Sequence, residues 1–279
     1  MATFNRKDLT IRCILQLQKM RNINTEIQIV VCDDRSSDGT FETIQSRFPD
    51  VHVIQSGGEE FWAKTMHLAD IEAQKYEYDY LVWLNDDTDV YVSAFESILA
   101  DYLLLDGEPA ILVGALADPI TKARTYSGCF FTEIENKIEL EFISPFGLPV
   151  KIGMFSGNFV CVPRVVRDAI GPISHNFSHG WADMEYGFRA RKFNYSSYLM
   201  SVFVGESPLN PLYSFHRNSR ISLLSRMKHI YGRKAYHPKD YLRFCLLAFG
   251  AKGIPIYFVN MIRVGKETLN AGPDLAGTK

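Results

Sequence analysis

The sequence has no C-x-x-C pair, and its five cysteines, Cys13, Cys32, Cys129, Cys161 and Cys245, are odd in number and scattered. That excludes a zinc ribbon and a disulfide framework, and it suits a reducing cytosol. An excess of either charge is missing too: 30 basic against 32 acidic residues leave a net charge of -2, which removes the electrostatic case for general nucleic-acid binding. There is no internal repeat, no low-complexity tract and no linker, so nothing divides the chain into independent domains. Long apolar runs are scarce. The longest, Phe244 to Ile262, is interrupted by Gly250, Lys252, Gly253 and Pro255, which argues against a simple spanning helix. Met1 is followed almost at once by Asn5, Arg6, Lys7 and Asp8 rather than by an apolar segment, so no secretory signal is expected and a cytoplasmic location is.

What is present suits a folded soluble protein. With 47% hydrophobic and 22% charged residues over 279 positions, the chain is long enough for one large α/β domain with a substantial core. Short β-rich runs alternate with helical patterns: Ile27 to Cys32 and Val51 to Ile54 as strands, with a helix from Phe41 to Phe48 between them. Tyr80 to Leu84 reads as a strand, Ser93 to Leu105 as a helix and Ala110 to Leu116 as another strand, which is the rhythm of a mostly parallel sheet. From Thr121 to Pro149 the pattern loosens into a small mixed sheet or hairpin. Asn158 to Val162 then reads as a strand, Pro163 to Ile170 and Ala182 to Lys192 as helices, and the final segment as mostly helical.

Chemistry-bearing residues fall at the ends of these elements. Val31 to Thr40 leaves a strand with adjacent Asp33 and Asp34 and turns into a helix; a carboxylate there accepts hydrogen bonds from a base N–H or ribose hydroxyls, while the bland alternative makes Asp38 or Ser37 a helix cap. Asn85-Asp86-Asp87 follows at another strand's carboxyl end, the edge of an open α/β sheet where ligands bind. Carboxylates at that place suit a divalent cation that neutralises charge developing on a leaving diphosphate, although a solvated turn would look the same. In the segment His179 to Ala190, Asp183 opens a helix, as a general base or merely as a cap on the helix amides. Glu185 does not share that task, because residues two apart on a helix point about 200° apart. His216 can complete a metal's coordination, and its neighbour Arg217 can meet phosphate.

Together these pieces resemble glycosyltransferase family two, the large inverting family with the GT-A fold, over nearly the whole chain. Thr3-Phe4-Asn5-Arg6 is similar to the family's first-loop element, Asp33-Asp34 through Thr40 to its nucleoside-binding turn, and Asn85-Asp86-Asp87 to its metal-binding D-x-D. Phe61 to Met66 resembles the F-W-A-G-G-M stretch of rhamnosyltransferase-like members; Ser156-Gly157-Asn158 with Val162-Pro163-Arg164 resembles their N-G-N and I-P-R elements, and Asp183 to Ala190 their D-x-D-Y-G-L-R-A helix.

The resemblance implies a GT-A domain over residues 1–217 and a helical extension over 218–279 that packs on it. It implies that Thr3, Asn5, Arg6, Asp33, Asp34, Trp62, Asn85 and Asp86 bind the nucleotide sugar, with Asp34 on the nucleoside and Asp86 on the ribose or the metal. Asp87 and His216 would hold Mn²⁺ or Mg²⁺, Gly157, Asn158, Trp181 and Glu185 would line the sugar pocket, and Asp183 would deprotonate the acceptor hydroxyl. The implied partners are a UDP- or dTDP-sugar and a glycan or lipid-linked acceptor in polysaccharide synthesis. The segment carrying Arg226, Lys228, Arg233, Lys234, Tyr241, Phe244, Tyr257 and Phe258 is a candidate for peripheral contact with an anionic membrane.

The chain departs from the pattern at Ala182, where many members carry an acid, and at Lys64, where the related stretch has glycine. The apolar first strand is almost absent, which leads to the expectation that backbone groups and a core face are left uncovered, and that either the start lies upstream or the domain is destabilised. Two alternatives stay open at this stage: a degenerate GT-A protein that binds without catalysis, and a sugar nucleotidyltransferase, whose usual Gly-rich basic opening loop is not visible.

Overall fold

The structure, a computed structural model, describes residues 1–20, 25–210, 218, 221–233 and 235–270. The first half runs β1 (Ala2–Thr3), α1 (Lys7–Lys19), β2 (Ile29–Asp33), α2 (Thr40–Arg47), β3 (Val51–Gln55), α3 (Phe61–Ala73), β4 (Tyr80–Leu84), β5 (Asp89–Val90), α4 (Ala94–Leu104) and β6 (Ile111–Ala117). There follow β7 (Arg124–Tyr126), β8 (Gly128–Ile134), β9 (Lys137–Phe142), β10 (Val150–Ile152), β11 (Met154–Phe155), β12 (Phe159–Pro163), α5 (Arg164–Ile170), α6 (Ala182–Lys192) and β13 (Ser197–Glu206). The chain closes with α7 (Leu223–Ile230), α8 (Pro238–Phe249) and α9 (Gly253–Leu269).

The strands divide among three sheets. β1-β2-β3 is parallel throughout, with Ala2 opposite Cys32 and Ile29 opposite Val51. The main sheet has the order β10-β13-β6-β12-β4, and among its described neighbouring pairs only β6–β13 is parallel, since β12 runs antiparallel to both its neighbours and β10 to β13. The loosely patterned stretch forms the antiparallel hairpin β8–β9, with β11 against β8.

Alternation along the central strands explains why the main sheet is buried on both faces. Ile111, Val113 and Ala115 of β6 and Val160 and Val162 of β12 face one core, while Leu112, Leu116, Phe159 and Cys161 face the other. A strand covered on both sides has to be apolar at consecutive positions, as Ile111–Ala117 is.

The opening strand is short but paired. The Met1 ammonium donates to the Val30 carbonyl at 2.8 Å, and the amides of Cys32 and Asp34 donate to the carbonyls of Met1 and Thr3 at 2.9 Å each. Those backbone groups of β2 therefore have partners, contrary to the expectation of a bare strand. Among the described residues β4 pairs with β12 alone, and Tyr80 at its start is 38% exposed.

The C-terminal helices join the first core through Tyr241, Phe244, Cys245 and Ile256. Residues Pro238–Leu269 are long enough, and an 18-residue stretch within them apolar enough at a mean hydropathy of 1.5, to cross a membrane by length and composition alone. The chain bends within them at Gly250, whose φ is +60°, and α8 and α9 pack on each other with the Tyr241 and Tyr257 rings 5.9 Å apart. The interruption expected from Gly250 to Pro255 is where this happens. The proposed membrane face needs correction: Tyr241 and Phe244 are buried against Trp181, and Arg226 is buried with its guanidinium donating to the Thr268 carbonyl. Phe258 is exposed, and Lys234 lies outside the described residues.

Candidate active site

The ends of β1, β2 and β4, the start of β12 and the start of α6 converge. Because β4 and β12 are antiparallel, the carboxyl end of one meets the amino end of the other, and the Asn85 amide donates to the Asn158 carbonyl at 3.1 Å. This brings the Asn85-Asp86-Asp87 turn beside Gly157 and Asn158.

The loop after β1 serves as a brace. Thr3 is buried, and its hydroxyl shares a hydrogen bond of 2.8 Å with that of Thr10, which also reaches Asp86 at 3.2 Å. Asn5, at a φ of +50°, donates its amide to Ser36 and accepts from the Ser37 amide, so it closes the turn after β2. Arg6 reaches into the cleft: its Nη1 donates to Asp86 Oδ1 at 3.0 Å and to Asp87 Oδ2 at 2.8 Å.

The two carboxylates of the β2 turn have different fates. Asp34 accepts from the Ser56 hydroxyl and the Glu60 amide on one oxygen and from the Phe61 amide on the other, which makes it the cap of α3. It was expected to bind the nucleoside, and the structure instead occupies both of its oxygens within the fold. Asp33 is fully buried, with Oδ2 accepting from the Ser36 amide and Oδ1 without a partner. Asp38 accepts from the Thr40 amide, the bland capping role foreseen for it.

Asp86 is 3% exposed, and burial raises its carboxyl above the ordinary carboxylate range, with Arg6 opposing the shift. Asp87 Oδ1 and the Thr88 hydroxyl are buried and have no hydrogen-bond partner among the described residues. Buried polar atoms without partners are rare enough to point to a ligand. A carboxylate oxygen in that state, beside a second carboxylate, fits an oxygen-coordinated divalent cation. Among the described residues no group of three or more His, Cys, Asp and Glu gathers around one point, and His216 and Arg217 lie outside the described residues.

Asp183 lies on the other wall. Its Oδ2 accepts from the Gly157 amide and its Oδ1 from the Met184 amide, each at 2.9 Å. Burial pushes its carboxyl up to about 6, an effect the two amides only partly offset. Gly157 is where three groups meet, because a Cβ there would come within 2.6 Å of the Trp62 ring and 3.2 Å of Asp183 Cβ. Trp62 in turn donates its indole N–H to Asn85 Oδ1 at 2.8 Å, which ties the wall carrying Asp183 to the acidic turn.

Trp181, just before α6, has a φ of +75° and packs its ring on Tyr236, Tyr241 and Phe244 at 4.5 to 5.3 Å. Glu185 does not join the pocket. Both its oxygens accept from Arg189 at 3.0 Å, and Arg189 also donates to the carbonyls of Ile170 and Pro172, so the pair clamps the chain after α5. Thr10 and Ser56 were missed as supports. Thr10 was legible in principle, since it stands one helical turn after Arg6.

The model of Glycosyl transferase family 2 matches residues 1–159. Among solved structures, S. aureus TarS 1-349 is similar with a TM-score of 0.57 at 12% identity, over 97% of this chain and 90% of that one. The mannosyltransferase PcManGT from Pyrobaculum calidifontis, solved with GDP-Man and Mn²⁺, gives 0.54 at 12% identity over 97% and 72%. GalNAc-T7, solved with UDP, GalNAc and Mn²⁺, gives 0.59 at 13% identity over 98% and 54%. No curated protein matches the sequence. Likeness at such identities carries the fold, and the family match, which spans more than half of the 279 residues, carries the assignment. The chain belongs to glycosyl transferase family 2 and is a glycosyltransferase of the GT-A fold.

Proposed function

We propose that the protein is an inverting transferase that moves a sugar from a UDP- or dTDP-sugar to a glycan or lipid-linked acceptor in cytoplasmic polysaccharide synthesis, in the manner of rhamnosyltransferase-like members. The observation that carries this reading is Asp183, a carboxylate at about 6 held by the Gly157 amide and joined through Trp62 to the Asp86–Asp87 turn. A carboxylate of that affinity takes a proton from a hydroxyl as it attacks, better than an ordinary aspartate would. Asp33, with its free buried oxygen, is the better candidate for the nucleoside, and Arg6 for the diphosphate.

A divalent cation, Mn²⁺ or Mg²⁺, would be held by Asp87, with Asp86 and His216 as further candidates, and would neutralise charge on the departing diphosphate. The two solved neighbours that hold Mn²⁺ support a metal in general. For the helical extension, the exposed residues Ile254, Phe258 and Ile262, four apart on α9, support peripheral contact with a membrane.

Nucleotide diphosphate release from a panel of UDP- and dTDP-sugars, with Mn²⁺ or Mg²⁺, tests the reading on the wild type, Asp87→Ala and Asp183→Ala. Metal-dependent release from one donor, lost in Asp87→Ala, is expected. Neither release nor donor binding from any sugar would favour the degenerate binder instead.

A further inference from the structure

A cavity of about 240 Å³ opens at the first turn of α3, beside the site rather than within it. Its cations come from separate parts of the chain: Lys64 from α3, Arg233 and His237 from the segment before α8, and Lys239 from the first turn of α8. The Ser178 side faces them, and the Ser178 carbonyl accepts from the Ala63 amide at 3.3 Å, which fixes this loop to α3.

The acidic groups do not cancel this charge. Glu60 is paired with Lys64 at 2.9 Å, Glu59 lines the rim, and Asp240 is buried beneath Ser178, accepting its amide at 3.0 Å. His237 Nδ1 stands 3.4 Å from Asp240. Neither Arg233 nor Lys239 has a carboxylate partner among the described residues; with Lys64 they equal Glu59, Glu60 and Asp240 in number, and the excess of positive charge comes from Arg243, whose Nη1 lies 3.9 Å from Asp240. Arg233 lies over the Phe61 ring at 4.9 Å, which holds the guanidinium in place while leaving its N–H edge for an oxygen ligand.

Phe61 forms the cavity wall, and the next residue, Trp62, packs against Gly157 and Asp183. Ser178 is likewise on the loop leading to Trp181 and the helix that carries Asp183. An anion seated here therefore lies against Phe61, the residue before the tryptophan that packs at Gly157 beside the base. Several cations and a stacked guanidinium from different elements suit a group with several acceptor oxygens, which is a phosphate rather than a neutral sugar. The same arrangement gives a use to Lys64, which departs from the glycine of the related stretch.

We propose that this cavity is the subsite for a phosphate group on the acceptor, which anchors the acceptor so that its hydroxyl is presented to Asp183. The proposal rests on the reading of Asp183 as the base of a transferase.

The test is calorimetric titration of the full chain with glycerol 3-phosphate, with glycerol as control, and separately with UDP and Mn²⁺. The wild type binds glycerol 3-phosphate and not glycerol. Combined Lys64→Gln, Arg233→Gln and Lys239→Gln replacement weakens that binding about tenfold or more, as expected for the loss of charge-assisted bonds, and leaves UDP binding as it was. No glycerol 3-phosphate binding by a wild type that binds UDP overturns the subsite alone, as does equal binding by the variant. A parallel loss of UDP binding overturns the acceptor assignment and gives the cavity to the donor diphosphate. Glycerol 3-phosphate binding without any UDP binding overturns the transferase reading, and the acceptor role falls with it.

Discussion

Asp183 Oδ2 accepts the backbone N–H of Gly157 at 2.9 Å, so the base candidate is oriented by a main-chain group that no side-chain substitution removes. Transfer should depend on its ionisation. With the carboxyl at about 6, activity rises with pH through a single inflection near that value and is flat above it. A pH profile of kcat/KM for nucleotide release measures this. An inflection near the ordinary aspartate value of 3.8 would mean that Asp183 is not the proton acceptor.

The same shift makes a prediction about stability. Between 3.8 and about 6 the folded protein binds more protons than the unfolded chain, so the benefit of the raised pKa is complete below that window and lost as pH rises through it. Asp183→Asn keeps an acceptor for the Gly157 amide and carries no charge, while the NH2 it turns toward the Met184 amide offsets part of the gain. It is expected to be inactive yet more stable at neutral pH, by roughly 2 kcal/mol, with little difference at pH 3. Thermal unfolding at both pH values decides; an inactive variant that is less stable at neutral pH would argue against a buried, strained charge.

At Gly157 the requirement is for space. Gly157→Ala would push its Cβ to 2.6 Å from the Trp62 ring and 3.2 Å from Asp183 Cβ, so one neighbour or the other has to shift. The expected cost is about 1–3 kcal/mol of stability, accompanied by a fall in kcat larger than any change in donor affinity, because the disturbed groups are Trp62 and Asp183. Unfolding and steady-state kinetics on one preparation separate the effects.

Asp33 and Asp34 show where the sequence stopped being readable. Their adjacency announced a nucleotide turn, but which carboxylate is free depends on α3, whose first amides claim Asp34. That helix was unread because its inner face buries Thr65 and Asp70 while Leu68 and Ile71 are exposed, so its apolar positions do not mark its buried side. β13 was unread for a different reason: its pairing with β6 shifts register after Leu199, which breaks the two-residue period. By contrast β4 and α6, the elements that deliver Asp86, Asp87 and Asp183, were legible to the residue, since strong apolar runs and acidic starts are local signals.

The assignments of those two carboxylates can be separated experimentally. Asp33→Asn should weaken UDP binding with little change in stability, because its unpartnered oxygen contributes nothing to the fold. Asp34→Ala should cost on the order of 2 kcal/mol through the lost α3 cap, with UDP binding affected only as far as the protein unfolds. If Asp34→Ala instead kept its stability and lost UDP, the nucleoside role would return to Asp34.

Arg6 occupies the ground between Asp86 and Asp87, donating to both at 3.0 and 2.8 Å. A divalent cation drawn to Asp87 meets that guanidinium as a competitor of the same sign, so binding has to move it aside. Arg6→Gln removes the competitor and leaves two adjacent carboxylates, one of them 3% exposed, facing each other without a counter-charge. The variant should therefore be less stable than the wild type without metal, bind Mn²⁺ alone more tightly, and gain more in Tm from saturating Mn²⁺, because a ligand that binds only the folded state stabilises in proportion to its affinity. Its nucleotide release should nevertheless fall, since the displaced guanidinium is the group best placed to meet the diphosphate. Mn²⁺ titration followed by electron paramagnetic resonance, together with unfolding curves at several Mn²⁺ concentrations, tests the argument. Unchanged Mn²⁺ affinity in Arg6→Gln, with wild-type affinity also in Asp87→Ala, would show that the cation does not bind at this turn.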